Sequence, residues 1–113
     1  MKKLLAFILI TASFSWAIPV LAETYEAGEF TITLDVDYND GKTYYGCDRQ
    51  ERCVYLVHGT SWQNEGCRGI TWENQGYTYS VSWQEGNDEL PLLKVYNPSD
   101  RLILERSMQL KTE

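Results

Sequence analysis

The chain has 113 residues, 43% of them hydrophobic, with ten basic residues against sixteen acidic ones and a formal net charge of −6. That length suits one domain once any leader is set aside. The acidic balance disfavours nucleic acid and anionic lipid as partners, so a charged partner is expected to be cationic.

The first 22 residues read as a signal peptide. Lys2 and Lys3 precede an apolar run over residues 4–18, and Val20, Leu21 and Ala22 put small side chains at the two positions a signal peptidase reads. Thr11, Ser13, Ser15 and Pro19 argue against a membrane anchor, because they interrupt the run before it reaches a spanning length. No cysteine precedes Cys47, which excludes a lipid-modified cysteine at the cleavage site, and no later stretch is apolar enough to span a bilayer. The chain is therefore expected to be exported, to the periplasm or beyond the cell, as a single domain over residues 23–113. Without Lys2 and Lys3, eight basic residues face sixteen acidic ones, a net charge of −8.

Residues 29–38 alternate. Phe30, Ile32, Leu34, Val36 and Tyr38 point one way, while Thr31, Thr33, Asp35 and Asp37 point the other, as in a half-buried strand. Asp40-Gly41 signals a two-residue hairpin loop, which would set Val36 opposite Tyr45 and Leu34 opposite Cys47. A disulfide from Cys47 to Cys53 then requires those residues to face each other across the loop 48–52, with Tyr45 opposite Tyr55 and Thr43 opposite Val57 on one inner face. In that register Tyr44, Val54 and Leu56 cluster on the other side, either exposed as an interface or buried under a second sheet.

Residues 59–69 read as the longest irregular stretch, with three glycines, Ser61, Trp62, Cys67 and Arg68. A hairpin follows around residues 73–76, where an even register sets Trp72 opposite Tyr77 and Ile70 opposite Tyr79, so that Tyr77, Tyr79, Val81 and Trp83 face the core. A polar turn over 84–89, a strand over 90–96, the turn Asn97-Pro98-Ser99-Asp100 and a strand over 101–110 complete the chain. In the last strand Leu102, Leu104, Met108 and Leu110 share a face, with Arg106 as the exception. The expected fold is all-β, an antiparallel meander of about seven strands forming a small barrel or sandwich.

The irregular stretch is the first place to look for a binding site, since loops held by a rigid sheet often carry function. Ser61, Trp62 and Arg68 are its candidate contact residues, set against a simple crossover in which Trp62 caps one end of the core. Cys67 is the cysteine left over, a free thiol unless it displaces Cys47 or Cys53 from the disulfide. No Cys-x-x-Cys pair is present and His58 is the lone histidine, so no zinc site is expected. Residues 35–41 place oxygen ligands at alternate positions, as a calcium loop does. They depart from that pattern at Asp40, where a glycine belongs, and at Gly46, where a glutamate belongs. No Gly-x-Ser-x-Gly elbow accompanies His58, and Glu73, Glu85 and Asp88 are a carboxylate grouping of the kind chance supplies in so acidic a chain. Catalysis, metal and cofactor are therefore not expected.

The blocks Tyr44-Tyr45-Gly46-Cys47, Gly69-Ile70-Thr71-Trp72-Glu73-Asn74, Tyr77-Thr78-Tyr79-Ser80 and Leu93-Lys94-Val95-Tyr96-Asn97-Pro98 resemble those of small exported bacterial proteins of unknown function. The resemblance covers most of residues 23–113 and carries no activity. The chain is also similar to the periplasmic inhibitors of C-type lysozyme, exported, disulfide-bearing, eight-stranded flattened barrels of about this size. That similarity implies an acidic domain docking on a cationic hydrolase. The family presents a Ser-Gly pair and a following aromatic to the enzyme. Thr60-Ser61-Trp62 and Gly66-Cys67-Arg68-Gly69 are the nearest elements here and do not match, so no inhibitory residue is carried over. The expectation is a non-enzymatic, exported binding domain of the cell envelope, with an inhibitor of a cationic hydrolase as the alternative.

Overall fold

The computed structural model describes residues 22–86 and 89–111. The expected signal peptide lies outside them except for Ala22, as does Asp88. The described residues form ten strands, three more than expected: β1 (Glu23–Ala27), β2 (Phe30–Asp37), β3 (Gly41–Cys47), β4 (Cys53–Leu56), β5 (Thr60–Asn64), β6 (Cys67–Asn74), β7 (Tyr77–Gln84), β8 (Leu92–Tyr96), β9 (Leu102–Ser107) and β10 (Gln109–Leu110). They make two five-stranded sheets, in the orders β10-β1-β2-β3-β4 and β5-β6-β7-β8-β9, with every pairing antiparallel. Neither sheet closes on itself, so the all-β expectation holds as two layers across one core and not as a barrel.

The extra strands come from three places. Residues 23–27 lack a full alternating pattern but place Tyr25 and Ala27 in the core. The stretch 59–69, expected to be irregular, is the β5–β6 hairpin, closed by a two-residue turn in which Glu65 and Gly66 both have positive φ (46° and 82°). That backbone matches the twist of the flanking strands. The last strand is broken at Met108, which is fully buried where the chain leaves β9 for the first sheet. Its N–H donates to Pro91 O at 2.8 Å, and Lys111 N–H donates to Thr24 O at 2.8 Å to seat β10 on β1.

The first hairpin departs from expectation in a way that decides the core. The turn takes three residues, 38–40, so that Asp37 pairs with Gly41, Leu34 with Tyr44, Thr33 with Tyr45 and Thr31 with Cys47. The carboxylate of Asp37 accepts from the N–H groups of Asn39 and Asp40, both at 2.9 Å, and Gly41 closes the turn at φ 67°. A short hairpin loop followed by a residue in the left-handed region is a favoured form. The change in register is odd, so every side chain of β3 moves to the opposite face. Cys47 stays opposite Cys53 and bonded to it, with Tyr45 opposite Tyr55 as expected, so β4 inverts together with β3.

Tyr44 and Leu56 therefore point inward and are buried, Val54 is half-buried, and Tyr45 and Tyr55 are exposed. The apolar cluster left open by the sequence is covered by the second sheet. Val36 and Tyr38, expected in the core, stand exposed at the end of the hairpin.

The β6–β7 hairpin keeps the expected parity but is two residues tighter. Trp72 pairs with Tyr79 and Ile70 with Val81, around Gln75 and Gly76 at φ 54° and 85°. Trp72 and Val81 are buried, Tyr79 and Trp83 are half-buried, and Tyr77, expected in the core, is exposed. The turn at Asn97 forms as expected, its side-chain oxygen accepting from the N–H groups of Ser99 and Arg101. Leu102 and Leu110 are exposed instead of sharing a buried face with Met108. Arg106, the odd residue of that face, makes two 3.0 Å hydrogen bonds to the Glu29 carboxylate and ties β9 to the β1–β2 turn.

The two sheets meet at Trp72. Its Nε1–H donates to Lys42 O at 2.9 Å, and its ring lies 5.4 Å from that of Tyr44. We expect Trp72→Ala to cost about 3–5 kcal/mol, a large share of the roughly 5–15 kcal/mol that holds a domain together. Urea denaturation monitored by far-ultraviolet dichroism measures this, and a loss below about 1 kcal/mol would contradict the role given to Trp72.

Candidate functional site

The chain leaves the first sheet after Leu56 and crosses to the second through Val57, His58 and Gly59. The N–H of His58 donates to Asp40 O at 2.8 Å and that of Gly59 to Lys42 O at 2.9 Å, which fixes where β5 begins. Gly59 is obligatory here, because a Cβ would stand 2.6 Å from Trp72 Nε1 and 2.7 Å from Ile70 Cγ2.

Beyond this crossover the β5–β6 hairpin and the start of β1 frame an open cleft of about 710 Å³. Ser61, Trp62 and Arg68, the residues singled out by the sequence, all border it, although they lie on strands and not on a loop. Strand alternation divides them. Arg68 and Ile70 share the face of buried Trp72, and Ser61 pairs with Ile70, so Ser61 and Arg68 belong to the inner side. Trp62 pairs with Gly69 on the other face, where its Nε1–H donates to Thr71 Oγ1 at 3.0 Å. Gly69 lacks a side chain because the indole occupies its place: a Cβ would lie 2.4 Å from Trp62 Cζ2 and 2.6 Å from Val81 O. Trp62 thus neither caps the core nor belongs to a mobile loop. It is packed flat on the outside of its own sheet.

The cleft combines charge with aromatic surface. The Arg68 guanidinium lies 5.6 Å from the ring centre of Trp83, its cross-strand partner, and 3.8 Å from the Glu85 carboxylate. Stacking on an aromatic face holds such a group in place without removing its charge. Across the cleft, the Tyr25 hydroxyl donates to Glu23 Oε1 at 2.7 Å. Burial first, then this bond to Glu23, pushes the Tyr25 phenol up to about 12, so it remains a donor. Lys42 supplies a second cation. The arrangement presents donors, one carboxylate and an indole to a polar ligand.

Residues with catalytic potential are not gathered. His58 is exposed in the crossover at φ 57°. Glu73 pairs with Thr78 near one end of the β6–β7 ribbon, whereas Glu85 follows the Cys67–Gln84 pair at the other. The carboxylates of residues 35–41 engage protein donors: Asp35 accepts from Val36 N–H, Asp37 from two turn amides and Asp40 from Tyr55 O–H. Among the described residues, no group of three or more His, Cys, Asp or Glu is placed to hold a metal ion, and no helix is long and apolar enough to cross a membrane. Cys67 is a free, half-buried cysteine on β6 beside Ser82, Leu92 and Lys94.

Inversion of the disulfide hairpin creates a second surface that the sequence did not reveal. Tyr45 and Tyr55 are exposed with rings 6.4 Å apart, edge to face. The Tyr55 hydroxyl donates to Asp40 Oδ2 at 2.9 Å. That bond, then partial desolvation, then the charges of Asp40, Asp37 and Asp35 hold its phenol above the ordinary range. Two tyrosines therefore stand beside three carboxylates on one outer face.

In comparisons with protein-family models, curated proteins and solved structures, the chain matches none.

The packing of Trp62 gives a direct check of the hairpin. We expect Gly69→Ala to expel the indole, with a red shift in tryptophan emission that vanishes in a Trp62→Phe background and a loss of about 1–3 kcal/mol. Unchanged emission would contradict the close approach of β5 and β6.

Proposed function

We propose that this chain is an exported, non-enzymatic binding domain of the cell envelope, and that the cleft bordered by Ser61 and Arg68 is where it meets its partner. The observation that carries the reading is the cleft itself. Its volume of about 710 Å³ lies within the roughly 300–1,000 Å³ of sites that hold ligands. It gathers Lys42, Glu23, Arg68 and Trp83 from four strands of two sheets, and rigid strands position such groups better than a loop does. The scattered positions of His58, Glu73 and Glu85 favour binding over catalysis, since acid–base work needs groups brought together in a cleft. Lys2, Lys3, the apolar run after them and the Cys47–Cys53 disulfide favour an exported chain.

The test is recovery of partners from an envelope extract by the oxidised protein and by an Arg68→Ala, Lys42→Ala double variant. Both residues reach solvent, so the fold should tolerate the change. A partner held by the parent protein and lost by the double variant supports the reading, whereas equal recovery by both forms discards the cleft.

A second reading has its own observation. The exposed Tyr45 and Tyr55 beside Asp35, Asp37 and Asp40 suit a cationic protein surface, because tyrosine supplies contact area and carboxylates supply long-range attraction. This supports an inhibitor of a cationic hydrolase such as lysozyme, docking through the outer face of the first sheet. Micromolar protein should then slow lysozyme, with inhibition weakened several-fold by Asp35→Lys and by raising salt from about 50 to about 500 mM, which shortens the screening length. Undiminished lysozyme turnover removes this reading and leaves the cleft proposal standing.

A further inference from the structure

The edges of the two sheets leave an apolar slot of about 390 Å³ between β4 and β9, on which neither reading above depends. Its walls are Val54 from the first sheet and Leu93, Val95, Ile103 and Leu104 from the second. Ile103 is 52% exposed at the mouth, so the slot opens to solvent.

Tyr44, Tyr79 and Arg52 bring polar atoms to this lining, and of the three Tyr44 is the buried one. Tyr44 is only 3% exposed, and its hydroxyl makes no hydrogen bond to any described residue. Its ring is fixed between Trp72 and Tyr79, at centroid distances of 5.4 and 5.5 Å. The hydroxyl lies over Gly46, another residue of the slot, where a Cβ would stand 2.9 Å from it. Gly46 therefore makes room for the phenol, which lies along its own strand. A buried hydroxyl without a partner is destabilising and rare in a finished core. Burial pushes the phenol well above its ordinary range, so the group is a donor that lacks an acceptor. Arg52 also lines the slot, its side chain largely exposed; its Nε–H is engaged by Asp48 at 2.8 Å while its terminal nitrogens make no hydrogen bond to a described residue.

We propose that this slot binds a fatty-acyl carboxylate, with the chain against Val54, Leu93, Val95, Ile103 and Leu104 and the carboxylate accepting from the Tyr44 hydroxyl beside Arg52. The class follows from three complementary features. Val54, Leu93, Val95, Ile103 and Leu104 offer dispersion, which selects a hydrocarbon chain. The hydroxyl donates, which selects an acceptor oxygen. The guanidinium selects that the acceptor be anionic, despite the acidity of the chain as a whole.

Sodium decanoate is the probe, titrated into the purified oxidised protein and followed by amide chemical shifts and calorimetry. Saturable shifts should appear at Val54, Ile103 and Leu104, with a raised melting temperature. Tyr44→Phe should weaken binding about tenfold, the size expected for one charge-assisted hydrogen bond, and should melt no lower than the parent without ligand, because it removes an unsatisfied group and keeps the ring. Ile103→Asp, at an exposed position, should abolish binding without unfolding the domain. Several results would overturn the proposal: no saturable shift at millimolar decanoate, shifts confined to the Ser61–Arg68 cleft, or equal affinity of the Tyr44→Phe protein. Methyl decanoate binding as tightly as the acid would refute the carboxylate. A dimer at working concentration that Ile103→Asp dissociates would give the slot to a second copy instead.

Discussion

A single carbonyl oxygen joins the two halves of this molecule. Lys42 O accepts from Trp72 Nε1–H, on the second sheet, and from the N–H of Gly59, in the segment that carries the chain from one sheet to the other, each at 2.9 Å. A buried indole N–H needs an acceptor, and each candidate acceptor position implies a different offset of the two sheets. Satisfying it at Lys42 brings Tyr44 against Trp72 and Tyr79 and sets where β5 begins. The cost falls on Gly59, where any side chain would collide with the indole. The cleft beside β1 and the slot beside β9 both lie where the sheets, held at this point, do not meet along their edges.

The sequence showed most of the fold through alternation and turn chemistry, and it failed where one turn outweighed alternation. Phe30, Ile32 and Leu34 were legible as an inner face because their neighbours are polar. Trp72 and Val81 were legible because the parity of the β6–β7 hairpin survives a shift of two residues. The β2–β3 hairpin did not yield to the same reasoning, since Tyr44 and Tyr45 are equally good inner residues and the choice rests on whether the turn holds two residues or three. Asp37 decides it by capping two turn amides with its carboxylate. An aspartate three positions before Asp40 is a signal of such a cap, but Asp40-Gly41 suggested a competing turn of its own.

The candidate residues divide in a similar way. Ser61 and Arg68 border one cleft, as their closeness in sequence suggested, yet they do so as strand residues, because Glu65-Gly66 is a two-residue hairpin turn within what looked like a glycine-rich loop. Two of the glycines in that stretch mark close approach and not freedom: Gly59 makes room for Trp72 and Gly69 for Trp62. A glycine paired with a tryptophan across a hairpin is indistinguishable in composition from a glycine in a flexible linker. Lys42, Glu23, Tyr25 and Trp83 could not have been grouped with Arg68 from sequence, since they converge only once the sheets are placed.

The inversion of β3 and β4 shows how one local interaction reaches the surface chemistry. With a two-residue turn, Tyr45 and Tyr55 would fill the core, and Tyr44, Val54 and Leu56 would face outward. The three-residue turn exchanges these sets, so the tyrosines join Asp35, Asp37 and Asp40 outside while Tyr44 carries its hydroxyl inside to a place where no described residue hydrogen-bonds to it. The disulfide does not oppose the exchange, because Cys47 and Cys53 remain directly opposed whichever face they occupy. It fixes the relation of β3 to β4 and leaves their common orientation to the turn. The acidic tyrosine face and the donor in the apolar slot are thus two consequences of one event, the capping of residues 38–40 by the carboxylate of Asp37.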